Sequence, residues 1–419
     1  MSYFLTDLDP RARVKGSRDA LGAQAVWSAA GRPLIGNLTT VTSSLAGFVT
    51  LLVGLRLAGR AVESGRAASL EDAFLVWEQM AAYARHVVHG HRGFFGLLRV
   101  ASRAGAPSVH LSAQPSEQIL GNQKSNGVYG NYSSPARASG LLEAGLPARL
   151  TPRTAAFVDA TYIPRLAPAW GRDASELVAK LGDDRGVSFD LRPNPRLAAV
   201  AAVFATPPSV AETRFYEEHL VHGGTNDPTH GRQRRFAALL EPYAADWPGL
   251  SLPFVDELAA AAERTGSADI TAHLHDIAAC ESVLAPATML FDYLLTRDEV
   301  AVDAVVDDLR EQWGERLGTV RRAAAGALPA SWREVTRTLL EGDYPALIAA
   351  LVTRNTEVMR ERGGAMPWVE ITAQRRVRVR FRQEPSDLFG ADTVAERWVY
   401  PYFIPSVRSV LAAVHGGAE

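Results

Sequence analysis

Three observations predict a mainly α-helical, multi-helix protein with a small β element near its C-terminal end. Apolar residues recur at three- and four-residue steps along most of the 419 residues. Ser, Thr and Asp stand where those runs begin, as helix caps do. Only "PWVEITAQRRVRVRFRQEP" alternates β-branched and aromatic residues at period two, the mark of a strand or hairpin. With 47% hydrophobic and 21% charged residues, the chain has ample core and is neither disordered nor fibrous. Its length suits two or three domains of ~100–200 residues. Composition shifts divide it into an N-terminal helical part (1–100), a polar-interrupted segment (101–165), a helical part (190–365) and a C-terminal β element with a last helix (366–419).

Net charge is −2, which excludes a globally basic nucleic-acid binder and leaves local basic patches open. The one cysteine, Cys280, has no partner for a disulfide or a thiolate metal cage, so a reducing, cytoplasmic compartment is expected. The opening "MSYFLTDLDPRARVKGSRD" lacks the charged-then-apolar layout of a secretory signal. Pro33 to Leu55 carries no charge and has the length of a membrane span. Asn37, five threonines and serines between Thr39 and Ser44, and Thr50 dilute it, so a buried core segment is expected and no membrane partner.

"RDALGAQAVWSAAGR" reads as a short helix. The next begins at Ser69, with Glu71 and Asp72 in its first turn, and buries Leu70, Phe74, Trp77, Ala81, Ala84 and Val88. Residues 154–181 read as helix with proline breaks, and "GDDRGVSFDLRPNPR" as a linker. From Arg196 to Arg362 helices dominate. "PFVDELAAAAERTG", "ITAHLHDIAACESVLAPATMLFDYLLTR" and "EVAVDAVVDDLREQWGERLGTVRRAAAGA" carry apolar stripes, and Pro286 is expected to kink or end the second. "SVRSVLAAVHGG" closes the chain as helix.

The segment "PSEQILGNQKSNGVYGNYSSPARASGLLEAGLPARLTP" stands apart. Ser116 is placed to cap a short helix, "KSNG" to make a turn, and Ser134 with Pro135 to start a second helix that Gly140 ends. "EAGLPARL" is extended, and Thr151 with Pro152 opens another helix. Over about residues 100–165 this order resembles a winged helix-turn-helix unit. Pro135 makes the second helix shorter than that family's recognition helix, and the insert before it is long. The "GRPLIGNLTT" and "ILGNQ…GLL" phrasing is also similar to uncharacterised helical proteins of bacterial defence loci.

The resemblance implies DNA contact, since a helix N-terminus enters the major groove. By chemistry Asn122, Gln123, Lys124, Ser125, Asn126, Asn131 and Arg137 suit base edges or phosphates, and Tyr129 and Tyr132 suit phosphates or stacked bases. In "QRRVRVRFR", Arg376, Arg378, Arg380 and Arg382 line one strand face, either tracking phosphates or balanced by carboxylates such as Glu370. A non-enzymatic DNA-binding or adaptor subunit of a larger bacterial assembly is the leading expectation, with DNA and protein partners and no cofactor. A protein-interaction scaffold is the alternative. An HD-type metal phosphohydrolase comes third: His275–Asp276 resembles that family's dipeptide, and His222 is a further metal candidate. No phosphate-cradling Gly-rich loop ending in Lys-Ser/Thr and no G-x-S-x-G elbow occurs.

Overall fold

The computed structural model describes residues 19–364, 366–381 and 386–416. The described chain is mainly helical with two small two-stranded sheets, as the apolar periodicity predicts. It forms two compact units, each built from two stretches of sequence. One comprises Leu34–Trp247 together with the chain from Phe403 onward; the other comprises the chain up to Pro33 together with Pro248–Tyr402.

The described chain opens with α1 (Ala23–Gly31). In the 34–247 unit, α2 (Leu45–Glu63) and α3 (Leu70–His89) pack against each other. Ser44 caps α2 by accepting the Gly47 N–H, and Ser69 caps α3 by accepting that of Asp72. Gly90, at φ 67, ends α3. The charge-free stretch thus supplies a core helix, with Phe48, Leu51, Leu52 and Val53 fully buried. Gly54 allows the close approach: a Cβ there would lie 2.4 Å from the Trp77 ring.

Then follow α4 (Leu97–Arg103), β1 (Ser108–Leu111), α5 (Gln123–Asn126), α6 (Val128–Ala138), α7 (Pro152–Thr161), α8 (Ile163–Trp170), α9 (Ser175–Leu181), β2 (Val187–Asp190), α10 (Pro195–Ala202), α11 (Val210–Tyr216) and α12 (Arg232–Leu240). β1 and β2 are antiparallel, with Ser108 opposite Asp190 and Leu111 opposite Val187. The stretch that composition marks as a linker therefore holds a strand inside this unit. Its alternation, with Val187 and Phe189 buried, is too short to outweigh the flanking Gly, Asp and Pro signals.

The 248–402 unit contains α13 (Leu252–Arg264), α14 (Ala268–Leu294), α15 (Val302–Trp313), α16 (Ala324–Ala327), α17 (Arg333–Glu341), α18 (Tyr344–Glu361), β3 (Val369–Ile371), β4 (Val377–Val379) and α19 (Ala391–Glu396). α14 is not ended by Pro286 but runs through it. Helices α1, α13, α16 and α17 pack on α14 and bury most of its residues. That burial outweighs the roughly 3 kcal/mol by which proline disfavours a helix interior. The apolar pattern beyond Val302 stops at Trp313, because Gly314 adopts φ 70. β3 and β4 form the expected hairpin, with Val369 opposite Val379 and Ile371 opposite Val377. Buried Glu281 accepts hydrogen bonds from the Val399 and Tyr400 N–H groups and from the Tyr402 hydroxyl at 2.9 Å.

The last helix, α20 (Ile404–Val414), belongs to the 34–247 unit. It buries Val407, Val410 and Leu411. Ser406 Oγ donates to the Thr39 carbonyl at 2.9 Å, and Thr213 Oγ1 to that of Val414 at 3.2 Å. Both α2 and α14 have the length and apolarity to cross a membrane; 78% and 89% of their most apolar windows are buried within the protein.

Candidate nucleic-acid interface

The polar segment after Gln118 is anchored from beneath by α3. Gln123 is fully buried and uses its whole amide. Its Nε2 donates to the Leu75 carbonyl at 3.1 Å and to Glu78 Oε2 at 3.0 Å. Its Oε1 accepts from Ile119 N at 3.1 Å and from Gln79 Nε2 at 3.2 Å. Gln79 also accepts from Ser112 N at 3.2 Å and donates to the Ser112 carbonyl at 2.8 Å. Glu78 Oε1 accepts the Val128 N–H at 2.7 Å. Burial pushes the Glu78 carboxyl up to about 7, against the opposing pull of Val128 and Gln123.

This network corrects the expected helix boundaries. Residues 115–120 form turns, not a helix capped by Ser116. "QKSN" is itself a helical turn, α5, capped by the Asn122 side chain accepting the Ser125 N–H. α6 starts at Val128, whose N–H Glu78 captures, and not at Pro135, which lies inside the helix. α5 and α6 touch through backbone: a Cβ on Gly130 would sit 2.1 Å from the Ser125 carbonyl oxygen. The later landmarks agree with the expectation. Gly140 at φ 71 ends the helix region, and Leu142 bridges Leu150 in an antiparallel hairpin. Thr151 caps α7 with Pro152 in its first turn. β1, however, pairs with β2 outside residues 100–165.

Of the residues singled out here, Asn122, Lys124, Ser125 and Asn126 are exposed. Lys124 Nζ lies 3.8 Å from Glu71. Asn131 is half-buried and donates to the Asn126 and Gly127 carbonyls at 2.9 and 3.0 Å. Arg137 is half-buried, and its Nε and one Nη find no hydrogen-bond acceptor. Tyr129 and Tyr132 are a correction: both are core residues and not a stacking platform. Tyr129 packs edge-on against Phe74, and Tyr132 against Phe48 at 4.9 Å between centroids. Their apolar rings bury more favourably than they solvate, which outweighs the turn-like composition around them. Gln123, expected to meet a base edge or phosphate, is a further correction, since its amide turns inward; Glu78 and Gln79 are the positioning residues that sequence reasoning missed. The available signal was two adjacent polar residues within the otherwise apolar face of the 70–88 helix.

In the other unit, Arg376, Arg378 and Arg380 are exposed on one face of the β4 strand, with Val377 and Val379 buried, as the alternation requires. Arg382 lies outside the described residues. Each described arginine is engaged: Arg376 donates to the Glu299 carbonyl, Arg378 lies 3.7 Å from the Glu299 carboxylate, and Arg380 is 2.8 Å from Glu370. The arginine strand and the polar segment belong to different units.

Among the described residues no group of three or more His, Cys, Asp or Glu side chains is arranged to hold a metal ion. His222 lies in the 34–247 unit, whereas His275 and Asp276 are exposed on α14 of the other. Cys280 is buried, and burial pushes its thiol up to about 12, so it is not a nucleophile near neutral pH.

Together these features define a mainly helical protein with a polar surface segment tied to α3 by buried hydrogen bonds. Comparison with known protein families, with characterised proteins and with solved structures finds no match for this chain.

Proposed function

We propose that this chain is a non-enzymatic nucleic-acid-binding or adaptor subunit of a larger assembly. In this reading it contacts its polymer through α5, α6 and the hairpin that follows. The observation that supports it is the pairing of an exposed polar row, Asn122, Lys124, Ser125 and Asn126, with a buried hydrogen-bond network that fixes the row's backbone. Recognition needs such preorganisation, because ordering a loose loop on binding costs affinity. Arg137, half-buried near the end of α6, adds a cation to the same segment.

The test is an electrophoretic shift of the full chain on duplex DNA at about 50 to 200 mM salt, a range over which phosphate-dependent binding falls steeply. Wild type should bind with that salt dependence. Lys124→Ala combined with Asn126→Ala should weaken binding about tenfold or more, each good contact contributing ~1–3 kcal/mol. Loss confined to Arg378→Ala with Arg380→Ala would move the contact to the arginine strand. No shift by wild type at low salt would overturn the proposal.

A protein-contact reading has its own support in two protruding apolar side chains, Leu98 on α4 and Leu146 in the hairpin loop, which are 87% and 84% exposed. In that case Leu98→Ser with Leu146→Ser should abolish co-purification of a partner and leave any DNA shift unchanged.

A further inference from the structure

We infer that Asn126 is a self-modifying site, at which the chain's own backbone converts the side-chain amide to a carboxylate with water as the only co-reactant. The Gly127 nitrogen attacks the Asn126 side-chain carbonyl carbon and gives up its proton. The amide nitrogen departs as ammonia, and a cyclic imide closes. Water then opens the ring at either carbonyl, leaving aspartate at 126 or its isomer, in which the backbone runs through the former side-chain carbon. No electrons change hands: amide and water enter, carboxylate and ammonium leave.

This attack is open where the following residue leaves its nitrogen uncovered, and glycine has no Cβ to cover it. Of the seven asparagines, Asn126 is the one followed by glycine. Packing fixes that glycine: a Cβ at 127 would lie 2.5 Å from the Gln123 carbonyl oxygen and 2.6 Å from Glu78 Oε1. The carboxylate that ties the segment to α3 therefore also imposes the reactive neighbour. Asn126 is exposed, and its side-chain amide has no hydrogen-bond partner among the described residues. The nearby asparagines are committed: Asn122 accepts the Ser125 N–H at 3.2 Å, and Asn131 donates to the Asn126 and Gly127 carbonyls. One restraint opposes the attack, since the Gly127 N–H donates to the Gln123 carbonyl at 2.8 Å. But α5 is a single turn of four residues. So short a helix gains little for the dihedrals it fixes, and its local opening sets the rate.

The products act on charge and on backbone. Either adds a carboxylate to an exposed row whose one cation, Lys124, already lies 3.8 Å from Glu71. The isomer also lengthens the main chain by one atom between α5 and α6. Those helices touch through backbone at Gly130 and Ser125, so the added methylene displaces α5. On the nucleic-acid reading, on which this consequence alone rests, converted protein loses its polymer contact.

Peptide mass mapping of the full chain, held for days at mildly alkaline pH, tests this. The fragment containing Asn126 should gain about 1 Da and divide into two products. Fragmentation should place the change at Asn126, with Asn122, Asn131, Asn226 and Asn355 unchanged. Asn126→Ser should abolish the gain. Gln123→Ala, which unseats α5, should raise the rate about tenfold. Asn131→Ala, which frees two carbonyls without entering the buried network, should raise it too. No gain at Asn126 after about ten times the period in which the urea-unfolded chain converts, or a rate indifferent to both accelerating variants, would overturn the proposal. In the electrophoretic shift, aged wild type should bind more weakly than fresh, and aged Asn126→Ser should not. A chain that converts yet never shifts DNA refutes the nucleic-acid reading and leaves the modification site standing.

Discussion

Two glutamates carry the most consequence per atom. Glu78 and Glu281 are each buried, each bound by backbone N–H groups, and each pushed up to about 7 from an ordinary 4.5, because burial disfavours their ionised form more than those donors favour it. Between pH ~4.5 and ~7 the folded protein therefore holds protons that the unfolded chain has released, so its stability falls as pH rises through that window. Glu281→Gln keeps the shape and can still accept from Val399 and Tyr400. It should match wild type near pH 5 and be more stable near pH 8, by at most about 3 kcal/mol, in urea denaturation at the two pH values. Gln123 makes the complementary case. Gln123→Ala leaves the Ile119 N–H without its acceptor and Glu78 Oε2 without its donor, each buried orphan costing ~1–3 kcal/mol. Partial relaxation should bring the measured loss to about 2–4 kcal/mol, and a loss below ~1 kcal/mol would show that the network does not anchor the segment.

At the scale of elements, what could be read from the sequence was whatever a local pattern encodes. Ser69, Thr151 and the Gly140 stop are where a cap or a positive φ is needed, and the β3–β4 alternation declares which arginines face outward. What could not be read was set by groups far away in sequence. Glu78 captures Val128 across 50 residues and moves the start of α6 away from Ser134, and β2 finds its partner in β1, whose Ser108 lies opposite Asp190. The polar residues of the candidate site were visible as a composition. Which of them face solvent was not, because Gln123, Tyr129 and Tyr132 turn inward to satisfy contacts that no local window contains. For β4 the prediction is a small number. Arg378 and Arg380 pair with carboxylates while exposed, and such pairs contribute ~0–1 kcal/mol. Alanine at either should change stability by less than about 1 kcal/mol in denaturant melts, so any binding change in those variants reports on contact and not on folding.

At the scale of the molecule, both units are discontinuous in sequence. The 34–247 unit has α20 as an integral part, with Val407, Val410 and Leu411 buried in it. A chain stopped after Trp247 lacks those side chains, each of which contributes roughly 1.5–3 kcal/mol when fully buried. That shortened chain should show no cooperative thermal transition by circular dichroism, whereas supplying Phe403–Gly416 through a short linker after Trp247 should restore one. During synthesis, the helix that completes the unit begun at Leu34 leaves the ribosome only after the whole of the other unit has been made. The α2–α3 core must wait with an apolar flank open for that interval, and whatever meets the nascent chain first, a chaperone or an assembly partner, meets it there.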